Sequence, residues 1–320
     1  MKSWIVTPQE EGTLSFKYVS RLLLKAPSGL LRKSMRKKNI TLNKKKMEGR
    51  EVLKAGDELQ IWFSDETLQK FMGKENQERK EDMDFPSLIL YEDDEILVLN
   101  KPAGLLSQGD ASGDGSLNDG LLSYLHDLIT PAFRPSICNR LDRNTSGIVL
   151  AGKTMNSLQK LNEMIKTRKI QKFYKALVLG ETGEEGTYGG YMVKDSALNR
   201  VAYRSAPEEG ARAVETRFER ELVKETKGII YSLVRVELVT GFSHQIRVHF
   251  AHDHHPLLGE KKYGTKESVR VSEILHIRRQ MLHSSEVVFP EMEGELAYLS
   301  GKSFKAPLPK DMEKVISAEP

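Results

Sequence analysis

The residues best suited to chemistry lie at 139–147, where the carboxylate of Asp142 stands between Arg140 and Arg143. The apolar residues 148–150 follow directly and predict a β-strand, so the polar stretch should form the turn before it. A carboxylate held between two guanidinium groups is costly to arrange unless its charge is used. Asp142 is therefore the leading catalytic candidate, although Asp, Asn, Ser and Gly also suit a turn of purely structural purpose.

Two later segments carry side chains that could complete such a site. The run 172–180 predicts a strand, on which Tyr174 would by itself be a packed aromatic with its hydroxyl satisfied. A long alternating strand is predicted over 230–239, and after it Ser243 is expected to cap a helix that begins at His244. The apolar spacing on this helix directs His249 inward and leaves Arg247 on a different face.

Together these segments resemble the motifs of the RluA-type pseudouridine synthases, in the family order. The matching stretches are Asn-Lys-Pro-Ala-Gly at 100–104, Arg-Leu-Asp-Arg-Asn-Thr-Ser-Gly at 140–147, Lys-Phe-Tyr-Lys-Ala at 172–176, and Thr-Gly-Phe-Ser-His-Gln-Ile-Arg-Val-His at 240–249. In the family the first stretch mainly shapes the fold, so Lys101 receives no catalytic role. The departures are Asn139 in place of His, and Phe242 and Ser243 in place of Arg and Thr.

The resemblance implies an isomerase that converts uridine to pseudouridine in RNA and needs no cofactor and no metal ion. The family pattern makes Asp142, Tyr174 and Arg247 the catalytic residues. It puts Tyr174 in the uridine pocket and pairs Arg247 with the Asp142 carboxylate, which stays ionised after burial. Arg140 and Arg143 are assigned to substrate binding. Arg140 matches the family arginine that helps to hold the flipped nucleotide, and a simple salt bridge is its alternative explanation.

Positive charge is concentrated near the N-terminus. Residues 14–63 hold 13 Lys or Arg against 4 Asp or Glu, a net of +9, whereas the whole chain carries +4. The remainder is therefore acidic overall. Such a basic segment suits binding to a phosphate backbone, since each contact releases counterions.

Two predicted helices and a hairpin over 14–63 resemble an S4 RNA-binding domain. Its RNA-binding candidates are the cations of the second helix and of the turn that follows the first strand of the hairpin. They are Arg32, Lys33, Arg36, Lys37, Lys38, Lys44, Lys45 and Lys46. A run of Lys and Arg is often only a solvated helix face, but 13 cations in one short module favour a binding surface.

The chain thus divides into an S4-like module at 14–63, a charged linker at 64–87 and a catalytic domain at 88–318. The predicted fold class is α+β. The resemblance implies a mixed, mainly antiparallel sheet with flanking helices for the catalytic domain, and a small α-plus-hairpin module before it.

Composition limits the remaining choices. The single cysteine, Cys138, excludes an intramolecular disulfide and a cysteine-rich zinc site. The histidines at 244–255 match no usual metal-ligand spacing. The chain has no apolar run of membrane-spanning length, so we expect a cytoplasmic protein, without membrane contact and monomeric.

Two other functions stay open on the sequence. A catalytically inactive RNA-binding protein with the same fold is the first, against which stands the presence of Asp142, Tyr174 and Arg247 together. A metal-dependent phosphohydrolase is the second, and it requires a bound metal. For the synthase, large-subunit ribosomal RNA is the expected substrate by analogy with relatives, with transfer RNA as the alternative.

Overall fold

A computed structural model of the protein describes residues 1–72, 83–110, 112–195, 198 and 200–318. The helices within these residues are α1 (Ser15–Leu22), α2 (Ser28–Arg36), α3 (Asp65–Phe71), α4 (Leu117–Tyr124), α5 (Met155–Lys166), α6 (Gln245–His252), α7 (Lys266–Ile274) and α8 (Lys310–Ser317). The strands are β1 (Lys2–Ile5), β2 (Ile40–Leu42), β3 (Lys45–Lys46), β4 (Glu58–Ile61), β5 (Ile89–Glu92), β6 (Ile96–Lys101), β7 (Ser136–Ile137), β8 (Ser146–Gly152), β9 (Gln171–Leu179), β10 (Glu185–Asp195), β11 (Arg200–Arg204), β12 (Arg212–Thr226), β13 (Ile229–Glu237), β14 (Leu282–Val288) and β15 (Ser303–Lys305).

The N-terminal residues form a small antiparallel sheet with the strand order β1-β4-β2-β3. Helices α1 and α2 cover it, and their apolar residues Val19, Leu22 and Leu31 belong to one core with Ile40 and Leu59 of the sheet. The apolar spacing of Phe16, Val19 and Leu23 predicts a helix, which agrees with α1. The sequence predicts a second helix from near Leu31, but α2 begins at Ser28, because Pro27 with its fixed φ precedes the first turn without breaking it.

Strand β1 is absent from the sequence prediction. Lys2–Ile5 pairs with β4 in antiparallel register, Lys2 opposite Ile61 and Ile5 opposite Glu58. Its residues are mostly exposed, so the segment lacks the clear apolar alternation that marks a strand in sequence. The backbone pairing to β4 creates it.

The basic turn between β2 and β3 is a two-residue hairpin loop. Asn43 and Lys44 both have left-handed backbone angles, with φ of 49° and 63°. Positive φ at both central residues is the geometry that matches the strand twist of a hairpin. The Asn43 side chain holds the loop by donating to Asp57 Oδ1 and accepting from the Glu58 N–H, both at 2.8 Å.

The predicted linker at 64–87 starts with helix α3, which Ser64 caps by accepting from the Thr67 N–H at 3.3 Å. Leu68 of this helix is buried in the same core as α1 and α2. Residues 73–82 lie outside the described part of the chain. The three domain boundaries stay a prediction.

Chain contacts define two compact units. The first comprises 1–97, 108–139 and 150–163, and the second comprises 98–107, 140–149 and 164–320. In the first unit, helix α5 has Thr154 at its start, where Oγ1 accepts from the Ser157 N–H at 3.1 Å, and Leu161 of the predicted apolar face is buried. All residues named below at the active site belong to the second unit.

The larger sheet has the strand order β11-β10-β12-β13-β9-β14-β8-β6-β5, with β15 paired to β14 and β7 to β8. From β11 to β14 its pairings are antiparallel, as are those of β15 with β14 and β7 with β8, whereas β14 runs parallel to β8. The predicted mixed, mainly antiparallel sheet with flanking helices is therefore confirmed. The apolar runs at 88–91 and 96–99 predict the hairpin that β5 and β6 form, whereas no sequence pattern predicted β10, β11 and β12.

Strand β8 joins the Asp142 turn to the centre of the sheet, and all of its residues are buried. Gly147 lies where β8 meets β14, with φ of 112°, and a Cβ built there would approach the Ser284 carbonyl oxygen to 2.1 Å. Only glycine permits this backbone contact. The close approach brings Ser284 of β14 to the strand that follows Asp142.

Among the residues that the structure describes, no helix is both long and apolar enough to cross a membrane.

Candidate active site

The turn that carries Asp142 is held by backbone contacts on both sides. Ser107 donates its hydroxyl to the Leu141 carbonyl at 2.8 Å and accepts from the Leu141 N–H at 3.0 Å. The Thr145 N–H donates to the Asp142 carbonyl at 3.0 Å and closes the turn. The Asp142 side chain keeps 27% of its surface exposed, so the carboxylate is anchored but reachable by a substrate.

The side chain of Lys101 also holds this turn through hydrogen bonds. Its ammonium group is buried and donates to the carbonyls of Pro102, Leu105 and Arg143, at 2.9, 2.8 and 3.0 Å. Three acceptors match the three N–H groups of an ammonium ion. Burial lowers the pKa of Lys101 to about 7, an effect that the charge of Asp142 opposes and that of Arg279 adds to. The geometry gives Lys101 a positioning role, in line with the absence of a catalytic one.

We expect Lys101→Met to destabilise the protein by about 3 kcal/mol, because buried carbonyl groups without donors cost roughly 1–3 kcal/mol each and relax only in part. Urea unfolding measures the loss. Lys25→Met, at an exposed position, is the control and should change the free energy of unfolding little. An unfolding midpoint for Lys101→Met equal to that of the wild type would contradict the role assigned to this ammonium group.

Arg247 lies buried on α6 and meets Asp142 across 105 positions of sequence. Its Nη1 donates to Asp142 Oδ2 at 2.7 Å. Burial by itself lowers the pKa of a guanidinium, but hydrogen bonds and charge from Glu260, with a contribution from Asp142, outweigh it and raise the pKa of Arg247. The group is therefore a permanent cation beside the candidate catalytic carboxylate.

Glu260 completes this pair and was not recognised in the sequence. Its side chain is 0% exposed. It binds Arg247 in two places, accepting from Nε at 2.6 Å and from Nη2 at 2.9 Å. The backbone N–H groups of Lys262 and Tyr263 donate to the same carboxylate. Burial raises the pKa of a carboxyl group, yet these donors hold the pKa of Glu260 below its ordinary value.

Glu260 had one signal in sequence. It follows Leu257-Leu258-Gly259, a stretch that agrees with the family's continuation of the third motif. Gly259 has φ of 79°, and a Cβ there would come within 1.7 Å of the Arg279 carbonyl oxygen. The glycine is required by this turn, and the turn fixes the position of the acidic residue that follows it.

Tyr174 of β9 is buried near the carboxylate. Burial raises the pKa of its hydroxyl to about 12, with a smaller opposing effect of a hydrogen bond to Ser284 and a further increase from the Asp142 charge. Both faces of β9 are buried here, because Phe173 and Leu177 are covered as well as Tyr174. A phenol with this pKa stays protonated at neutral pH, so Tyr174 offers a ring face and a donor rather than a base.

The expected helix start at His244 is wrong by one residue, and so is its cap. Helix α6 begins at Gln245, and His244 precedes it with φ of 57° and ψ of 15° in the left-handed region. No side chain caps this end through a hydrogen bond to the helix. Ser243 therefore has no capping role, because the left-handed residue turns the chain before the first helical N–H groups. The Gln245 side chain instead accepts from the Phe242 N–H at 3.1 Å.

Arg140 and Arg143 do not hold the carboxylate between them, which corrects that expectation. Asp142 pairs with Arg247, whereas both neighbouring arginines are exposed. Arg143 turns away and donates through Nε to the Gly104 carbonyl at 3.0 Å. In a tight turn the side chains one and two positions from Asp142 point in different directions from its carboxylate. Being adjacent in sequence therefore did not give Arg140 or Arg143 an ion pair with Asp142.

His249 packs inward, as predicted, with Nδ1 2.9 Å from Thr216 Oγ1. Burial, with a smaller effect of His252, lowers its pKa to about 4 and so keeps the ring neutral at neutral pH. Across the described residues, no group of three or more His, Cys, Asp or Glu side chains is arranged to hold a metal ion.

Comparison with known proteins identifies the class to which this fold and site belong. The family described as RNA pseudouridylate synthase matches residues 95–252. Ribosomal large subunit pseudouridine synthase C of Escherichia coli is 31% identical over 301 residues, which cover 89% of this chain and 87% of that protein. An uncharacterized RNA pseudouridine synthase of Mycoplasma genitalium is 31% identical over 267 residues, which cover 82% of this chain and 80% of that protein.

The solved structure of human RNA pseudouridylate synthase domain containing 4 superimposes with a TM-score of 0.56 at 22% identity, covering 72% of this chain and 92% of that one. This likeness supports the fold. The protein belongs to the RNA pseudouridine synthase family, and its activity is the isomerisation of uridine in RNA. The prediction made from its motifs is confirmed at this level.

Proposed function

We propose that the protein modifies uridines of large-subunit ribosomal RNA, with Asp142 as the catalytic carboxylate. The observation that carries the proposal is the chain Glu260–Arg247–Asp142. It leaves Asp142 Oδ2 bonded at 2.7 Å and Oδ1 without a bond shorter than 3.9 Å. The choice of RNA is supported by the names of the bacterial relatives, which are large-subunit ribosomal RNA enzymes.

The geometry suits the reaction in three respects. The N1–C1′ bond of uridine must break before C5 replaces N1, and a carboxylate held ionised by a buried guanidinium can attack or stabilise an electron-poor centre. The protonated Tyr174 offers a ring on which a flipped uracil stacks. The exposed Arg140 and Arg143 flank Asp142 and are suited to the phosphates of the flipped nucleotide.

No other group need be supplied for this chemistry. The isomerisation is internal to the nucleotide, so it calls for no redox cofactor and no group donor. Arg247 supplies the positive charge that keeps the carboxylate ready, and Glu260 keeps Arg247 in place.

The N-terminal residues are proposed as the RNA-docking module, with the domain limits 14–63, 64–87 and 88–318. Support comes from the exposure of every proposed contact residue: Arg32, Lys33, Arg36, Lys37, Lys38, Lys44, Lys45 and Lys46. Helix α2 and the β2–β3 hairpin carry them all, apart from the two residues directly after α2. We also propose that the enzyme is a cytoplasmic monomer.

The proposal is tested by tritium release from C5-labelled uridine in RNA of cells that lack this gene. The purified enzyme is added to separated large-subunit ribosomal RNA and transfer RNA, with a chelator present. Release from the ribosomal fraction is expected, since C5 loses its hydrogen when it bonds to the sugar. Release from transfer RNA alone would overturn the choice of substrate, and release from neither would remove the proposed function.

Replacing Lys44, Lys45 and Lys46 with alanine should weaken RNA binding and leave the rate at saturating RNA unchanged. The logarithm of the binding constant falls linearly with the logarithm of the salt concentration, and each phosphate contact in a duplex region contributes about 0.9 to the steepness of that line. Loss of three contacts should therefore reduce the steepness by up to roughly 3. Filter binding at several salt concentrations measures it. The exposed lysines Lys166, Lys169 and Lys266 provide a comparison triple outside the module. Equal slopes for the first triple and the wild type would argue against docking at this hairpin.

A further inference from the structure

His244 occupies an unusual backbone position beside the catalytic carboxylate. Its φ of 57° and ψ of 15° lie in the left-handed region, which a residue with a Cβ adopts only when its surroundings demand it. Strained backbone positions gather at functional sites. The strained turn aims the imidazole at Asp142, with Nε2 3.9 Å from Oδ1.

Neighbouring hydrogen bonds determine which nitrogen of His244 carries the proton. The Val201 N–H donates to Tyr263 Oη at 3.0 Å, and Oη lies 2.5 Å from His244 Nδ1. If the tyrosine hydroxyl donates to Nδ1, the proton of the neutral ring is on Nε2 and faces the carboxylate. The opposite arrangement directs an Nε2 lone pair at a negative oxygen, which is repulsive. The favoured tautomer is therefore Nε2–H.

The Nε2–H group is left available for a substrate. Among the described residues Nε2 makes no hydrogen bond, because its 3.9 Å distance to Asp142 Oδ1 is too long for one. Burial lowers the pKa of His244, with Asp142 acting in the opposite direction, so the ring is neutral at neutral pH. A neutral donor thus stands next to the carboxylate oxygen that Arg247 does not occupy.

The reaction creates an anion that such a donor can stabilise. When the N1–C1′ bond breaks, both bonding electrons remain on the base, which departs as a uracil anion with charge shared by N1, O2 and O4. C1′ is then bonded to Asp142, or the sugar gives a proton to it. The base then rotates and C5 bonds to C1′. In the first route the bond from C1′ to Asp142 breaks as this bond forms, and in the second Asp142 returns the proton to the sugar. C5 loses its proton to solvent and N1 takes one up, so the product is an isomer of the substrate.

We propose that His244 is a catalytic residue whose Nε2–H donates to the O2 oxygen of the departing uracil. The histidine keeps its proton throughout and acts as a fixed hydrogen-bond donor, as an oxyanion hole does. Tyr263 is the positioning residue that holds the tautomer. This inference rests on the proposed function, since it concerns the same site and reaction.

The test compares uridine with 2-thiouridine in ribosomal RNA transcripts, because sulfur is a weaker acceptor than oxygen and makes the base a better leaving group. His244→Leu should lower the single-turnover rate about 100-fold on uridine, the scale of losing one oxyanion donor. On 2-thiouridine the same variant should lose less than about 10-fold. His244→Gln, which can offer an N–H near the Nε2 position, should recover most of the rate on uridine.

Controls separate this role from a structural one. His126→Leu, at a side chain that is 60% exposed, should behave as the wild type on both RNAs. Equal losses for His244→Leu on uridine and 2-thiouridine, or no recovery by His244→Gln in a folded variant, would overturn the proposal. A wild-type enzyme that modifies no ribosomal transcript would instead refute the proposed function.

Discussion

Asp142→Asn is expected to abolish pseudouridine formation and to leave the fold intact. The amide keeps the shape of the side chain but cannot serve as an anionic nucleophile or base. We expect a loss of about 10⁴-fold or more in the single-turnover rate, the scale seen when the central group of a catalytic set is removed. Tritium release from C5-labelled ribosomal RNA measures it.

The fold should survive this change because Asp142 is not the main partner of Arg247. Glu260 holds the guanidinium through Nε and Nη2, and the Asp142 side chain is partly exposed. We therefore expect the melting temperature and the RNA affinity of Asp142→Asn to lie close to those of the wild type. Asp127→Asn, at a side chain that is 88% exposed, is the matched control for the chemical change. Substantial activity in Asp142→Asn would leave the carboxylate without its assigned role.

Glu260→Leu should lower both stability and activity, although the residue touches no substrate in our proposal. Removing one partner of a buried ion pair costs about 3–5 kcal/mol, because the other charge stays buried without full compensation. Asp142 would then be the remaining carboxylate partner of Arg247, and we expect the Asp142 side chain to shift toward the guanidinium. We expect the rate at saturating RNA to fall about 100-fold, since small displacements of a catalytic group cost this much. Urea unfolding and single-turnover kinetics measure the two effects.

A second substitution separates stability from catalysis. Arg247→Met with Glu260→Leu removes both charges and should be more stable than Glu260→Leu alone, because no unpaired guanidinium remains buried. The activity of the double variant should remain low, since Asp142 no longer has the Arg247 guanidinium beside it. Glu181→Gln, on a side chain that is 59% exposed, controls for loss of a surface carboxylate. A double variant no more stable than Glu260→Leu would show that the ion pair is not what stabilises this region.

The sequence by itself determined what kind of protein this is and which residues we propose for most of its site. Asp142, Tyr174 and Arg247 stand in contiguous motifs, and such motifs survive because the local turn, strand or helix needs those residue types in that order. The sheet class was predictable for a related reason. Apolar runs bounded by turn residues, as at β5, β6, β8 and β9, report their own strands locally.

Strands with polar, exposed faces were harder to predict. The alternation of β10 and β12 is mostly exposed or half-buried, and β1 shows almost no burial at all. These segments become strands through backbone pairing with a neighbour, β1 with β4 and β10 with β12. Pairing between distant parts of a chain leaves little trace in the residue types of either part.

Only the tertiary structure decided the partners of the Asp142 carboxylate. Arg140 and Arg143 are its neighbours in sequence, yet it binds Arg247 on another element. His244 joins the same cluster because its left-handed backbone turns the chain before α6, and Glu260 joins it because it follows the turn at Gly259. The spacing of apolar residues in the sequence predicts neither feature. Side-chain ion pairs depend on which atoms the packed sheet and helices bring within about 3 Å. Sequence spacing fixes that distance only within a turn or helix, and here the partners come from distant segments of the chain.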